Sequence, residues 1–267
     1  MPDKPKFKYS KQKLEQLIED IYNGDVSEYD IPLDLYQATV EYLKDGLYRG
    51  YGQTLEEAEG ADLDLLTELR ENIYMFSAAK NFDELKQMTE LLTNGDEVRS
   101  FDEFKEAATE VFDIHNEDYL ATEYQTAIAS ASSAAKWVDV EEQKDVLPNL
   151  RYSAIIDENT SDICLPLNGI VAPVDDPIWN TCTPPNHFNC RCVLLQEDGD
   201  ATVTPDDRKD SAFEKVDDEM DEMFKQNPGK TGEIFDKDHP YFSVPKEDLD
   251  FAKTNFGLPI PPTDEDE

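Results

Sequence analysis

Residues 150–156 read Leu-Arg-Tyr-Ser-Ala-Ile-Ile, and the hydrophobic period of the chain changes there. Leu150, Tyr152, Ala154 and Ile156 alternate with Arg151, Ser153 and Ile155, the period of two that marks a strand with one buried face. Upstream of Pro148 the apolar residues recur instead at the 3.6-residue spacing of amphipathic helices. Downstream, residues 169–172 and 192–195 are two more short strand candidates, separated by PVDDPIWNTCTPPNHFN (173–189), a loop rich in Pro, Asp and Asn. The fold class is therefore α+β, a mainly helical N-terminal region followed by a small β-containing module that holds every cysteine.

The helices upstream carry their own punctuation. Ser10 is placed to cap a helix whose Leu14, Leu17, Ile18 and Ile21 form one stripe. Tyr36, Val40, Leu43 and Leu47 repeat the pattern, with Gly46 weakening that helix and Gly50 and Gly52 stopping it. A third helix is expected over 63–79, with Leu66, Leu69, Ile73 and Phe76 inward, and a fourth over 82–92, stopped by Asn94-Gly95. Ser100 and Glu103 form a capping box for a helix carrying Phe104, Ala108, Val111 and Phe112. The next segment, YLATEYQTAIASASSAAKW (119–137), holds only two charges, Glu123 and Lys136, in a chain that is 32% charged. Alanine and serine on every face suit a helix buried among close neighbours. Glu123 is then either a site residue with a shifted pKa or an acid neutralised by a basic partner. Beyond about residue 197 the chain is acidic and turn-rich, with one amphipathic helix carrying Phe213, Val216, Met220, Met223 and Phe224. The terminal PIPPTDEDE (259–267) reads as disordered.

Composition restricts the function classes. Sixty-one acidic residues against 24 basic ones give a formal charge of −37, while 39% of the 267 residues are hydrophobic, enough for a core. A surface of that sign repels nucleic acid and anionic membrane, because carboxylates release no counterions from phosphate. Direct, sequence-specific nucleic-acid binding is not expected. No apolar run reaches the roughly 18 residues of a membrane span. The start, MPDKPKFKYSKQK, is basic without an apolar h-region, so the expectation is a cytosolic chain with reduced thiols.

Three of the four cysteines and one of the three histidines fall within Cys182–Cys192, CTPPNHFNCRC. Zinc takes four thiolate or imidazole ligands in a tetrahedron. Cys190 and Cys192 are two apart, so on extended backbone both sulfurs face one side and Arg191 the other. His187 precedes Cys190 by three residues in a loop able to fold back, and Cys164 can supply a fourth ligand. The candidate metal set is Cys164, His187, Cys190 and Cys192, with Cys182 outside it. A metal-free buried thiol cluster and an oxidised pair are the competing readings. A Cys–His nucleophile is disfavoured, since sequence neighbours rarely form that geometry. Neither His115, at a helix end, nor His239, before Pro240, sits in a Ser/His/Asp arrangement, so no catalytic residues are assigned. The Gly-Lys-Thr at 229–231 lacks the earlier glycine and the preceding strand of a phosphate-binding loop, and is read as a turn capping a helix C-terminus.

The run from Tyr119 to Leu195 resembles the Mu F-like minor head protein family, the phage head morphogenesis domain. TEYQTAIASA (122–131) is similar to its T-E helix motif and KWVDV (136–140) to its tryptophan segment. LRYSAIIDENTSDICLPLNGIVAPVDDPIW (150–179) resembles its strand and D-x-x-x-L-D-G loop, and PPNHFNCRCVLL (184–195) its terminal PP-x-H-x-x-C-R-C signature. The flanking FSAAKNFDELKQM (76–88) is weakly similar. Many members carry C-x-x-C, or a single His, before the Leu-Asp-Gly. Here Ser161 stands at the first of those positions, Cys164 at the second, and Asn168 replaces the Asp.

The resemblance divides the chain into a helical region (1–100) able to dock a portal, a Mu F-like head morphogenesis domain (101–197), an acidic extension (198–258) and a tail (259–267). It implies a phage or prophage minor head protein without catalysis of its own. Such a protein acts in capsid assembly, portal contact and DNA packaging or ejection by docking onto portal and other head proteins. It is located in the virion head near the portal, and in the host cytoplasm during assembly, with structural zinc as the one cofactor to consider. Two other readings stay open: a prophage-encoded effector of the toxin or ADP-ribosyltransferase type, and a zinc-stabilised cytosolic adaptor.

Overall fold

The computed structural model describes residues 5–95 and 97–256, and the fold is α+β. The tail expected to be disordered, 259–267, lies outside the described residues. Helix α1 spans Lys11–Asn23, with the Ser10 side chain accepting from the Lys13 N–H and Gly24 closing it at φ 79°. Helix α2 is Leu33–Tyr51. Helix α3 runs unbroken over Gly60–Glu90, which corrects the expectation of two helices over 63–79 and 82–92. Lys80 and Asn81 interrupt the apolar stripe and suggested a boundary, yet neither breaks a helix, and both are fully buried on hydrogen bonds.

A two-residue hairpin follows, β1 (Thr93–Asn94) with β2 (Glu97–Val98). Helix α4, Phe101–Asp113, opens on the capping box of Ser100 and Glu103. It passes through a π-helical turn, Ile114–Tyr119, into α5, Leu120–Gln143. Strand β3 is Asn149–Ser153, α6 is Cys164–Leu167, β4 is Val171–Pro173 and β5 is Val193–Glu197. Helix α7, Asp206–Asp217, ends before Met220. Met223 and Phe224 fall in a separate 3₁₀ turn capped by Asp221, so the single amphipathic helix expected there is two elements. Two further short helices follow, α8 (Pro228–Thr231) and α9 (Leu249–Asn255).

These elements form two compact units, each discontinuous in sequence. One comprises the chain up to Asp45, Ile73–Tyr124 and the segment from His239. Its larger core joins Leu14, Leu17, Ile18 and Ile21 of α1 to Leu85 and Met88 of α3 and to Phe104, Ala108 and Phe112 of α4. A second cluster in the same unit packs Ala78, Ala79 and Phe82 against Ala252 and Phe256.

The other unit, Gly46–Asn72 with Gln125–Asp238, holds the three-stranded antiparallel sheet in the order β4-β3-β5. Tyr152 pairs with Leu194, and Leu150 with Ala172 and Gln196. Leu150, Tyr152, Ala172 and Leu194 turn inward onto Trp137, Trp179, Val216 and Phe224. Trp179 donates its indole N–H to the Pro173 carbonyl at 2.9 Å, and its own carbonyl accepts from Thr183 and Asn227. The Gly-Lys-Thr stretch is a short helix capped at its start by Asn227, not the end of a longer helix. A Cβ on Gly229 would lie 2.2 Å from the Cβ of Trp137, so glycine there serves packing.

Helix α2 stops where expected, at Tyr51, with Gly52 following at φ 90°. Gly50, in its last turn, has a further role: a Cβ there would meet the Ile128 carbonyl oxygen at 2.2 Å and its Cα at 2.8 Å. The alanine- and serine-rich face of α5 is therefore matched by a glycine that lets two helix backbones approach. Gly50→Ala is expected to destabilise by about 1–3 kcal/mol in chemical denaturation, because backbone cannot rotate away as a side chain does. Gly199→Ala, which meets nothing within 4 Å, is the neutral control.

Candidate functional site

The cysteine cluster is assembled by three short pieces of backbone. Helix α6 brings in Cys164, whose N–H donates to the Ser161 carbonyl at 3.0 Å. A turn bonded from Cys190 N–H to the His187 carbonyl at 3.2 Å folds the imidazole back toward the thiol. Asn189 occupies that turn at φ 58°, a conformation asparagine tolerates better than most residues. The third piece is extended backbone just ahead of β5. It turns Arg191 outward onto Asp157, in two bonds of 2.8 and 2.7 Å, while Cys190 and Cys192 face the other side.

The metal-binding atoms of Cys164, His187 and Cys190 all lie within 4.8 Å of one another. Cys192 is not part of that mutually close group, although its thiol is near enough to Cys164 and Cys190 for the three to perturb one another's titration. Cys182 is fully buried in the same core but outside the cluster, and burial pushes its thiol up to about 12. Of the four ligands expected, three converge and the fourth sits beside two of their sulfurs.

The donor set fits zinc. Zn–S bonds of about 2.3 Å in a tetrahedron place sulfurs about 3.8 Å apart, and Cys164 and Cys190 are 3.8 Å apart. His187 Nδ1 lies 2.8 Å from the Phe188 carbonyl oxygen, which can only accept, so Nδ1 carries the proton and Nε2 keeps its lone pair. That is the usual second contact of a ligating histidine. Contacts from the Cys164 and Cys192 thiols, and then backbone groups of Asn186 and Cys192, lower the Cys190 thiol below its ordinary value. Cys164 is correspondingly pushed up, first by that contact with Cys190 and then by the one with Cys192 and by burial.

Two residues not counted among the candidate ligands, Tyr152 of β3 and Asn186, support the cluster. The Tyr152 hydroxyl lies 3.3 Å from Cys164 Sγ and donates to Asn186 Oδ1 at 2.8 Å. Asn186 in turn donates to the Thr183 carbonyl at 3.3 Å. As a hydrolytic pair, Cys190 and His187 are poorly placed: the sulfur is buried, and the imidazole proton is tied to an adjacent backbone carbonyl instead of an orienting carboxylate.

Glu123, singled out by its apolar surroundings, has the basic partner that one of its two readings required. Lys80 is 0% exposed, and its ammonium donates to Glu123 at 3.0 Å, to the His115 carbonyl at 2.8 Å and to the Tyr241 hydroxyl at 3.3 Å. Glu84 lies in the same network, accepting from Asn116 at 2.7 Å and from Asn81 at 3.4 Å. Burial pushes the Glu84 carboxyl up to about 7 against the pull of Lys80, and raises Glu123 in the same direction. His115 and His239 are both driven down to about 3, first by burial and then by Lys80, so both are neutral. Lys80→Met would leave two buried carboxylates without their cation, a loss of about 3–5 kcal/mol. The double variant Lys80→Met/Glu123→Leu is expected to recover a large part of that loss in the same denaturation assay.

Residues 85–195 match the family model described as Phage Mu protein F like protein. Over 73 residues the chain is 40% identical to the Mu-like prophage FluMu F protein of Haemophilus influenzae, covering 27% of this chain and 18% of that protein. Over 73 residues it is 34% identical to a protein F of Escherichia phage Mu that is named for capsid assembly, covering 27% of this chain and 17% of the relative. The match thus spans less than a fifth of either relative's length. No solved structure matches the chain significantly. The matched segment contains α4, α5, β3, β4, the start of β5 and the cysteine cluster, and its similarity to the Mu F-like family takes in the ordered motifs of 119–195.

Proposed function

We propose that this protein is a minor head protein of a phage or prophage, acting in capsid assembly by docking onto portal and other head proteins without turnover of its own. The observation that carries the reading is the Mu F-like match over 85–195, which embraces both the buried α5 and the whole cysteine cluster. Its place is the virion head near the portal, reached through the host cytoplasm during assembly, and its contribution to DNA packaging or ejection follows from that position. The helical region 1–100 carries the portal interface. The formal charge of −37 makes basic protein surfaces the natural complement and DNA a poor one. Among the described residues no helix is long and apolar enough to cross a membrane.

Co-expression with the portal protein of the same phage genome tests the reading. The two are expected to co-purify, with retention falling as salt rises from about 0.1 to 0.5 M, because surface charges are screened over that range. Absence of co-purification at low salt refutes the portal contact, and salt-insensitive retention refutes the acidic docking surface.

Within that function the cysteine cluster is a structural zinc site held by Cys164, His187 and Cys190, with Cys192 as the fourth donor after a small shift. Bound zinc would cross-link α6 to the backbone entering β5, and no step of any reaction is assigned to it. Purified protein is expected to carry about one zinc per chain by elemental analysis. Cys190→Ser should lose the metal and lower thermal stability, while Cys182→Ser should retain the metal. Full stability in metal-free wild-type protein would remove zinc from this role.

A further inference from the structure

The two edges of the three-stranded sheet are finished differently. At the β4 edge, Thr204 donates its N–H to the Val171 carbonyl at 2.8 Å, and its hydroxyl accepts from the Val171 N–H at 2.9 Å. At the opposite edge, β5 pairs only with β3, and no other backbone hydrogen bond reaches it from the described residues. In an antiparallel ladder every second residue turns its N–H and C=O away from the partner strand, so β5 presents an unused row of both. Leu194 is buried, whereas Val193 and Leu195 on the other face are 51% and 45% exposed. This edge has no proline, bulge or inward lysine of the kind that blocks pairing.

We infer that the outer edge of β5, Val193–Glu197, binds an extended, basic segment of a partner protein as an added strand, with apolar side chains at alternate positions. The unpaired N–H and C=O groups require an occupant in β conformation. Val193 and Leu195 require apolar groups on the face they share. Charge sets the sign: the arginines flanking the strand are already engaged, Arg151 by Glu197 and Arg191 by Asp157, while Asp198 and Asp200 stand exposed where the strand ends. A second copy of the chain fits less well, since it would bring another formal −37 to the contact. The inference goes beyond head assembly as such and uses a different surface from the helices of 1–100. Portal co-purification and strand addition can therefore succeed or fail separately.

The test uses the full chain and a capped peptide of about nine residues alternating valine with lysine. Hydrogen exchange should show the peptide slowing alternate amides within 193–197. The same peptide N-methylated at alternate positions, equal in charge but unable to pair, should not bind. Val193→Lys/Leu195→Lys, changing two half-exposed side chains, should weaken binding by roughly tenfold or more. Equal binding of the N-methylated peptide, or binding without protection of 193–197, would overturn strand addition. Protection of these amides that rises with protein concentration in the absence of peptide would overturn it in favour of self-pairing.

Discussion

A lysine with no exposed surface is an expensive object, and Lys80 dictates much of the unit around it. Its three donors go to Glu123, to the His115 carbonyl and to Tyr241, which come from α5, the π-helical turn and the segment after His239. None of the three partners is dispensable, because a desolvated ammonium left short of acceptors costs several kcal/mol. The π turn follows from this demand. Its extra residue directs the His115 carbonyl inward, where it accepts both the Leu120 N–H and Lys80. The same turn buries Asn116, whose amide reaches Glu84 and the Phe112 carbonyl. Burial raises both acids, and the single ammonium offsets that desolvation only in part.

In the other unit the corresponding role belongs to the central strand. β3 pairs on both sides, and its inward Tyr152 lies over the core while its hydroxyl reaches Cys164 and Asn186. A tyrosine at that position joins the apolar packing of the sheet to the polar cluster, as an aromatic ring with a buried handle does. Geometry of the cluster is thus inherited from the sheet: strand register fixes Tyr152, Tyr152 fixes Asn186, and the turn after Asn186 presents His187 and Cys190.

Features with a local cause were legible in the chain. The Ser10 and Ser100 caps act within four residues of themselves, and both form as expected. The strand at 150 follows from alternation and is displaced by only a residue at its start, although Ile155 and Ile156 prove exposed beyond its end. Features with a tertiary cause were hidden. Periodicity assigns Lys80 and Asn81 to a boundary because it treats polar residues as outward, and only the partners on α5 and the π turn make them core. The glycines at 50 and 52 mark the helix end correctly, but the glycine rule cannot see Ile128 approaching Gly50. The Gly-Lys-Thr turn likewise needs Trp137 to explain it. Among the candidate ligands, the His187 turn was readable from its neighbours, and Cys164 from the need for a fourth donor out of the preceding strand connection. The offset of Cys192 depends on where β5 begins, which spacing alone does not define.

The distribution of charge connects these local facts to recognition. Among the described residues only Glu84, Glu123 and Asp248 are buried acids. Basic side chains are spent as internal staples: Lys86 on Asp248, Lys209 on Asp176, Lys225 on Asp217 and Glu222, Arg191 on Asp157. Each staple contributes modestly where it is exposed, and more where it is half-buried. Their joint consequence is larger. With so many cations already paired and a formal excess of 37 acids, an approaching macromolecule meets mostly uncompensated carboxylate. Such a surface discriminates before contact, attracting basic protein and repelling both phosphate backbones and further copies of itself. For a strand edge left open, that repulsion acts where a proline or a bulge would otherwise be needed, guarding against self-pairing while leaving the edge available to a partner of opposite sign.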